Sequence, residues 1–185
     1  MRLKQLLLSD LCRQYEIEGK LGLRPNLFRL LCRLFHPRFL PIVLCRAGRA
    51  AFLCGIPVIP KMFTYLNIVL FGIEVALRCE IGPGVFFPHT SGTVVGACKL
   101  GSNVTIFQGV TLGAKELDMA FDPALRPAVG DFVTLGAGCK ILGGIRLGDR
   151  VTVGANSVVL DSVESDNTVV GIPARKLSLL ATRVQ

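Results

Sequence analysis

Two residues of this chain, His89 and Glu74, have side chains and a spacing that could support acid–base chemistry. His89 lies between an apolar run and a glycine-containing turn, in the string FFPHTSG at residues 86–92. An imidazole with a pKa of about 6.5 can accept a hydroxyl proton at neutral pH. A carboxylate bound to one ring nitrogen fixes the tautomer that leaves the other nitrogen free as a base. We therefore take His89 as a candidate catalytic base and Glu74 as the residue that orients it.

His89 also has two other interpretations. A lone histidine in a β-rich protein is more often structural than catalytic. A zinc site built from three histidines is excluded, because the chain has only His36 and His89, and its seven cysteines form no CxxC pair. We predict no metal site, and the structural alternative depends on whether the fold brings Glu74 to His89.

Aliphatic residues recur every six positions around His89 and beyond it. The series runs from Val94 to Leu112 and resumes from Val129 to Val159. A period of six fits no helix face and is typical of hexapeptide repeats in a parallel β-solenoid, where each short strand stacks on an equivalent strand one coil away. About twelve hexads, at three per triangular coil, predict about four coils. Glu74 lies fifteen residues before His89, close to one coil of about eighteen residues, so neighbouring coils could bring the two together.

The same spacing predicts the core of the solenoid. The first residue of each hexad should point inward, as should the residue four positions later. The later positions are aliphatic or small, with Ser157 as the exception: Val133, Cys139, Ile145, Val151 and Val163. Three glycines that follow a first position are expected where the chain turns tightly: Gly136, Gly148 and Gly154.

Two irregularities interrupt the repeat. One extra residue between Phe87 and Val94 shifts the frame, and such slips often accompany a kink beside an active site. Residues 114–128 break the period, carry charges and contain two prolines, which predicts a loop that is either functional or disordered. An open stack of coils exposes strand edges, so we expect the N-terminal region to cap one end and Val169–Leu180 the other.

The N-terminal third differs from the rest in charge and in periodicity. Residues 1–70 hold eleven Lys and Arg against three Asp and Glu, whereas residues 71–185 hold ten of each. Apolar residues spaced by three and four indicate helices before residue 55. We predict a basic, apolar helical region at 1–70 and a β-helix domain at 71–185, the latter with loop 114–128 and a C-terminal cap.

The composition limits the partners of this basic region. No apolar stretch reaches the roughly 18–20 residues of a transmembrane helix. Nucleic acid is disfavoured, because the cations alternate with Leu, Phe and Ile rather than with stacking aromatics. The helices either pack on one another and on a partner subunit or contact a membrane surface peripherally. The cysteine pattern and the absence of an apparent signal peptide predict a cytoplasmic protein, which membrane contact would place at the inner face.

Residues 72–175 resemble the serine acetyltransferase branch of the hexapeptide-repeat acyltransferases. The matching strings are GIEVALRCEIGPGVFFPHTSGTVVG, VTIFQGVTLGAK, VTLGAGCKILGGIRLGDRVTVGANSVVLDSV and VVGIPARK. The resemblance implies a left-handed parallel β-helix, a homotrimer with active sites between subunits, and acetyl-CoA as co-substrate with no permanently bound cofactor. It also implies that His89 deprotonates the acceptor hydroxyl and that the acidic residue at Glu74 assists it, with backbone N–H groups stabilising the oxyanion.

Carried over position by position, the resemblance implies a coenzyme A groove. The groove would run past the GIPAR turn at 171–175 and past four small residues that let a pantetheine arm approach the backbone. These are Gly113, Ala137, Thr152 and Ala155. Thr152 stands where the family often has Lys, so Arg175 and Lys176 become the nearest cations for the CoA phosphates. The string VVGIPAR can also be read simply as an end cap.

Two departures from the family pattern concern the acceptor site, to which we assign Pro88 and Arg126. The family usually has Asp directly before the catalytic His, where this chain has Pro88, and an Arg-His pair in the long loop, where this chain has Leu125-Arg126. Each lost charge-assisted contact to an amino acid is worth about 1.5–3 kcal/mol. We therefore expect an O-acetyltransferase acting on a sugar hydroxyl in surface-polysaccharide biosynthesis. The alternatives are a serine O-acetyltransferase of cysteine biosynthesis and a non-catalytic trimeric scaffold.

Overall fold

The computed structural model describes residues 2–20 and 22–177, and this part of the chain begins with four α-helices. They are α1 (Leu3–Ile17), α2 (Leu27–Arg33), α3 (Leu40–Leu53) and α4 (Ile59–Phe71). Prolines stand in the first turns of α3 and α4, where a helix makes no use of the backbone N–H. The Asn26 side chain accepts a hydrogen bond from the N–H of Arg29 and caps α2. None of these described helices is long and apolar enough to cross a bilayer.

Short strands follow α4 and form a three-sided stack. They are β1 (Ile73–Val75), β2 (Glu80–Ile81), β3 (Thr93–Val95), β4 (Lys99–Leu100), β5 (Thr105–Ile106), β6 (Thr111–Gly113), β7 (Ala128–Val129), β8 (Thr134–Leu135), β9 (Lys140–Leu142), β10 (Arg146–Leu147), β11 (Thr152–Val153), β12 (Val158–Val159), β13 (Thr168–Gly171) and β14 (Ala174–Lys176). Face A is β1-β3-β6-β9-β12, face B is β2-β4-β7-β10, and face C is β5-β8-β11-β13-β14. All pairs are parallel except β13–β14, which is antiparallel. The chain passes from face A to B to C in every coil, so it is a parallel β-helix behind an α-helical N-terminal region.

The hexapeptide spacing sets the number of residues in each regular coil. Ala128 pairs with Arg146, and Lys140 with Val158, each at the spacing of three hexads. Face A holds five parallel strands, one layer more than the hexads predict, because β1 precedes the first recognisable hexad at Ile81. The predicted inward positions are almost all buried, and Ile145 and Val163 pack against the core with part of their surface exposed. Ser157 is buried as well, where its hydroxyl accepts a hydrogen bond from the Gly171 N–H.

The frame around His89 differs from the prediction. Val94 was expected to point inward but is 39% exposed, whereas Thr93 and Val95 are fully buried. Val95 pairs with Leu112 in the next coil, so the frame shifts by two positions after Phe87 rather than by one. As a result Ile73 of β1 pairs with Thr93 of β3, a wider spacing than three hexads. The extra residues fall in the corner that carries His89.

Close approach between coils explains the glycines that the sequence assigns to tight turns. Gly136 and Gly154 do open tight turns, since their carbonyls accept hydrogen bonds from the N–H groups of Cys139 and Ser157, but neither they nor Gly148 adopt a left-handed φ. A Cβ on Gly136 would lie 2.7 Å from the backbone nitrogen of Ala155, and a Cβ on Gly148 would lie 2.5 Å from that of Ser165. These positions need glycine because the next coil occupies the space of a side chain.

Gly101→Ala is expected to lower the free energy of unfolding by about 1–3 kcal/mol. An alanine Cβ there would lie 2.4 Å from the carbonyl oxygen of Gly130, which the strand ladder prevents from withdrawing. Gly113→Ala is the matched control, because a Cβ at Gly113 meets no atom within 4 Å. Chemical denaturation of both variants checks the prediction, and an equal loss of stability in the two would contradict it.

A buried ion pair between α1 and α3 caps the open end of the solenoid. Both carboxylate oxygens of Asp10 accept hydrogen bonds from Arg46 at 3.0 Å, and the Gly84 N–H donates to Asp10 at 2.8 Å. Arg46 also donates to the carbonyls of Ile81 and Gly82. In lower coils the equivalent carbonyls accept hydrogen bonds from N–H groups of the coil above. The first coil has no coil above it, so its carbonyls need other donors. The N-terminal helices supply the missing donors.

The long loop and the C-terminal end leave the coil register intact. Leu100 of β4 pairs with Val129 of β7, so residues 114–127 leave the stack at the corner between faces A and B and the next strand returns in register. This segment contains a 3₁₀ turn at Pro123–Leu125. At the far end, β14 folds back antiparallel on β13, and residues 178–180 of the predicted cap lie outside the described residues. The division into regions 1–70 and 71–185 stays a prediction; α4 ends at Phe71 and β1 begins at Ile73.

Candidate active site

His89 lies exposed in the corner where the chain passes from face C to face A. Backbone hydrogen bonds attach this corner to its neighbours above and below, from Gly92 N–H to the Gly72 carbonyl at 2.9 Å and from Gly109 N–H to the Ser91 carbonyl at 3.0 Å. The contacts continue down the stack from Gly138 to Gln108 and from Asn156 to Ala137. We call this line of stacked corners the C/A edge. It gives the His89 imidazole a rigid support on one side and solvent on the other.

A cleft of about 550 Å³ opens beside His89. It is lined by apolar rings and a small number of polar groups: Pro37, Arg38, Phe71, Phe87, Pro88, His89, Thr90, Ser91 and Gln108. Apolar walls with a few convergent polar groups are typical of small-molecule sites. The cleft therefore offers a bound hydroxyl compound a base and a cation at the same place.

Arg38 and Gln108 are functional candidates that the sequence analysis missed. Arg38 is exposed at the end of the α2–α3 link, and its guanidinium has no carboxylate partner within residues 2–20 and 22–177. The Oε1 atom of Gln108 is buried and accepts no hydrogen bond from the described chain. An unpaired buried oxygen costs free energy unless a ligand or water supplies a donor. Gln108 had a signal in the string FQG on the C/A edge, whereas Arg38 had none.

The backbone before α3 holds Arg38 in place. The Arg38 N–H donates to Nδ1 of His36 at 3.3 Å. Partial burial lowers the pKa of His36, and the positive charge of Arg33 lowers it further, so the ring stays neutral and can accept this bond at neutral pH. His36 thus supports the turn, and it does not line the cleft.

Glu74 lies near His89 but does not contact it. The carboxylate is exposed on face A, two residues after Gly72, whose carbonyl accepts from the His89 corner. Because this coil is longer than the regular coils, the residue opposite Glu74 is Val94, which follows the His89 corner. No hydrogen bond joins the Glu74 carboxylate to the imidazole anywhere in the described chain. The spacing of fifteen therefore places both residues beside the C/A edge without pairing them.

The two predicted acceptor residues lie in different places. Pro88 lines the cleft directly before His89. Arg126 belongs to the long loop, where its guanidinium donates to the Asp118 carboxylate at 2.8 Å and to the Gly96 carbonyl at 3.0 Å, and stacks 4.1 Å from the centre of the Phe121 ring. Burial would raise the pKa of Asp118, but the hydrogen bond from Arg126 lowers it below its ordinary value. Within one protomer Arg126 holds the loop folded and does not reach the His89 cleft.

The predicted coenzyme A residues fall on two edges of the stack. Ala137 and Ala155 continue the C/A edge below Gln108, and Thr152 is exposed on the adjoining face C. Arg175 and Lys176 lie on β14 at the end of the same face. Gly113 lies across face A, at the end of β6 next to the long loop. Within one protomer, face A separates Gly113 from the other predicted coenzyme A residues.

The buried cysteines do not supply a nucleophile. Burial raises the pKa of the Cys45, Cys79 and Cys139 thiols to about 12, so they remain protonated at neutral pH. Cys98 is half-buried and its thiol donates to the Pro127 carbonyl at 3.3 Å. No three residues among His, Cys, Asp and Glu are grouped to hold a metal in the part of the chain that the structure describes.

Comparison with known proteins identifies relatives of this chain. The family described as bacterial transferase hexapeptide (six repeats) matches residues 127–161. A serine acetyltransferase of Synechococcus elongatus is 38% identical over 162 residues, which are 87% of this chain and 64% of that protein. A solved serine acetyltransferase in complex with CoA has a TM-score of 0.80 and 28% identity, over 95% of this chain and 69% of that one. The serine acetyltransferase of Neisseria gonorrhoeae in complex with serine gives a TM-score of 0.77 and 29% identity, over 94% and 68%. The chain spans less than two thirds of the length of the curated relative.

These relatives correct the predicted acceptor. The prediction of a sugar acceptor in surface-polysaccharide biosynthesis is wrong, because the similar proteins are serine acetyltransferases. Their similarity favours the alternative of a serine O-acetyltransferase. Some of the positive charge of the basic N-terminal third has an internal role. Arg46 and Arg49 donate to carbonyls of the first coil, and Arg33 pairs with Glu18. In sequence and in fold, the chain is similar to the serine acetyltransferase branch of the hexapeptide-repeat acyltransferases, whose left-handed parallel β-helix and α-helical N-terminal region it shares.

Proposed function

We propose that this chain transfers an acetyl group from acetyl-CoA to the hydroxyl of L-serine, the reaction that supplies O-acetylserine for cysteine biosynthesis. The observation that carries the proposal is the cleft in which the exposed His89 imidazole faces Arg38 and Gln108. It is supported by the similarity to serine acetyltransferases, one solved with CoA and another with serine. The seven cysteines are free thiols, which fits the reducing cytoplasm where we expect the protein to act.

The proposed reaction is a direct transfer without a covalent enzyme intermediate. His89 takes the hydroxyl proton as the serine oxygen attacks the thioester carbonyl, and backbone N–H groups of the corner stabilise the resulting oxyanion. The C–S bond then breaks and the imidazolium returns the proton to the departing CoA sulfur. The buried thiols of the chain take no part in these steps.

Glu74 is proposed to position His89. Its carboxylate is separate from the imidazole in the free protein, and catalytic hydrogen bonds are often long until the substrates are bound. A carboxylate near the developing imidazolium would also favour proton transfer from the acceptor. Its position beside the C/A edge, one layer from the His89 corner, supports this assignment.

In this chain, groups other than the predicted acceptor residues Pro88 and Arg126 would bind serine. The Arg38 guanidinium can bind the serine carboxylate, since it is the only Lys or Arg side chain among the residues that line the described cleft. The partnerless Oε1 of Gln108 can accept a hydrogen bond from the serine ammonium. These two contacts leave the hydroxyl of serine for His89.

Arg38→Ala is expected to raise KM for L-serine roughly tenfold to a hundredfold, because a charge-assisted hydrogen bond contributes about 1.5–3 kcal/mol. KM for acetyl-CoA should stay unchanged, since Arg38 lies away from the predicted coenzyme groove. Arg38→Lys keeps the charge and is the matched control, with a smaller increase. Steady-state kinetics with each substrate varied in turn measure these effects. An unchanged KM for serine in Arg38→Ala would show that another group binds the carboxylate.

Coenzyme A is proposed to lie along the C/A edge, past Ala137 and Ala155, with its phosphates near Arg175 and Lys176. Small side chains and exposed Thr152 leave this path open. Gly113 could contact the same molecule only from a neighbouring subunit, because face A separates it from the C/A edge. This separation supports a homotrimer in which each groove is formed by two protomers.

Release of free CoA from acetyl-CoA tests the function. We expect release with L-serine and none with glycine, which shares the carboxylate and ammonium of serine but has no hydroxyl. Release that does not depend on serine would contradict the proposal. A failure to bind acetyl-CoA in calorimetry would favour the alternative of a non-catalytic scaffold.

A further inference from the structure

Helix α4 presents an apolar stripe to solvent. Residues at the spacing of an apolar helix stripe are each between 39% and 67% exposed, namely Met62, Tyr65, Leu66, Val69 and Leu70. Such a stripe ordinarily faces the core of a globular protein. The opposite side of α4, which packs on α3 and the first coil, contains Thr64 and Asn67 together with Phe63 and Phe71. Helix α4 therefore carries apolar residues on both sides, and one of these sides is open to solvent.

Specific hydrogen bonds fix this orientation. The Asn67 side chain is buried and its amide donates to the Pro41 carbonyl and to the Cys45 sulfur, both at 3.1 Å. Rotating α4 to bury the stripe would expose these contacts and leave the Pro41 carbonyl unpaired. The exposed stripe is a stable feature of the fold rather than an incompletely packed core.

The turn before α4 extends the same kind of surface. Leu53 at the end of α3 and Val58 before α4 are each 66% exposed. Between Arg49 and Glu74 the only charged residue is Lys61, in the first turn of α4. A large exposed apolar surface is typical of an interaction site.

The surrounding charge indicates what covers it. The three acidic residues of the N-terminal third, Asp10, Glu16 and Glu18, are all engaged in ion pairs within the described chain. Several cations of the same region have no carboxylate partner in residues 2–20 and 22–177: Arg2, Lys4, Arg24, Arg29, Arg38, Arg49 and Lys61. A second copy of the same basic region would bring like charges together, whereas an anionic surface would complement them.

We propose that α4 and the turn before it dock on an anionic lipid bilayer, with the apolar stripe at the boundary between headgroups and acyl chains. Apolar side chains on one helix face and nearby cations are the combination that binds such a surface, and each cation close to it adds to the attraction. The contact is peripheral, since no described helix could span the bilayer. The proposal rests on the N-terminal helices and is independent of the reaction assigned to His89.

Co-sedimentation of the full chain with vesicles tests this docking. We expect binding to phosphatidylcholine vesicles that contain phosphatidylglycerol, weaker binding to phosphatidylcholine alone, and release at high salt. Met62→Ser/Val69→Ser should reduce the partition coefficient by more than about tenfold, because each side chain loses its buried apolar surface. Leu117→Ser/Met119→Ser is the matched control, since both residues are highly exposed on the long loop far from α4 in sequence. Thermal unfolding confirms that both double variants are folded.

Three results would overturn the proposal. One is the same sedimentation with and without anionic vesicles. Another is vesicle binding that the α4 substitutions leave unchanged. The third is an oligomer that does not bind vesicles and that Met62→Ser/Val69→Ser dissociates, as measured by light scattering. The apolar surface would then be a contact between copies of the chain.

Discussion

Replacing His89 by alanine is expected to lower kcat/KM for serine acetylation by about 10²–10⁴-fold, the usual contribution of a positioned general base. The imidazole is exposed, and the main-chain hydrogen bonds of the corner involve neighbouring residues, so the variant should remain folded. Its affinity for acetyl-CoA should persist, because the predicted coenzyme groove lies lower on the C/A edge. Release of CoA in steady state, with calorimetric binding of acetyl-CoA, measures both effects.

His36→Ala is the control for this experiment. His36 is the only other histidine of the chain and supports the turn before α3 without lining the cleft. Its loss is expected to leave kcat at saturating serine little changed. If His89→Ala keeps the turnover of the wild type, the imidazole is not the base and the mechanism is wrong.

Asp10→Asn is expected to destabilise the protein by about 3–5 kcal/mol, the cost of leaving a buried charge without its partner. Arg46 is 3% exposed and Asp10 is 2% exposed, so water cannot replace the lost carboxylate charge. The substitution also weakens the contact to the Gly84 N–H at the start of the solenoid. Denaturant unfolding should show a lower midpoint, and the first coil should lose protection from hydrogen exchange.

Asp166→Asn provides the matched control, since Asp166 forms an exposed ion pair with Arg150. Surface pairs contribute little to stability, so the unfolding midpoint should stay near that of the wild type. A double variant, Asp10→Asn/Arg46→Met, should lose less stability than the sum of the two single variants because they remove the same pair. Equal midpoints for Asp10→Asn and the wild type would show that the capping ion pair does not stabilise the fold.

The hexapeptide period was enough to predict the solenoid, because its inward residues repeat at fixed positions. Leu135, Ile141 and Leu147 begin hexads and are fully buried, as the period requires. The period fails where the coil length changes, so the inward residue of β3 is Val95 rather than Val94. The added residues make a wider corner rather than a new repeat, and a periodic pattern cannot say where within a corner they lie.

His89 could be singled out from the sequence as a candidate base, whereas the other groups that line its cleft could not. His89 has a rare side chain in a recognisable motif, but Arg38 is one of many basic residues in the N-terminal third. Only the folded chain places the α2–α3 link beside the cleft that Phe71 and Phe87 also line. Arg126 was assigned to the acceptor from its position in a motif, but folding of the long loop engages its guanidinium with Asp118. Contacts of this kind depend on tertiary structure and leave no spacing in the sequence.

The charge asymmetry of the chain shows the same limit. An excess of cations in residues 1–70 is visible in the sequence, but these cations have different roles in the structure. Arg46 and Arg49 serve the carbonyls of the first coil, as the open end of a parallel stack requires. Other cations, such as Lys61, remain at the surface beside the exposed side of α4. A count of charges alone could not separate the structural share from the share that is free to meet a partner.

Mass analysis of the product tests the central claim most directly. The wild-type protein is incubated with acetyl-CoA carrying an isotopic label in the acetyl group and with L-serine, and the amino acid is recovered. The account predicts serine heavier by one labelled acetyl group, formed together with an equal amount of free CoA, and no such product with His89→Ala. Free CoA without labelled acetylserine, or labelled acetylserine formed equally well by His89→Ala, would contradict it.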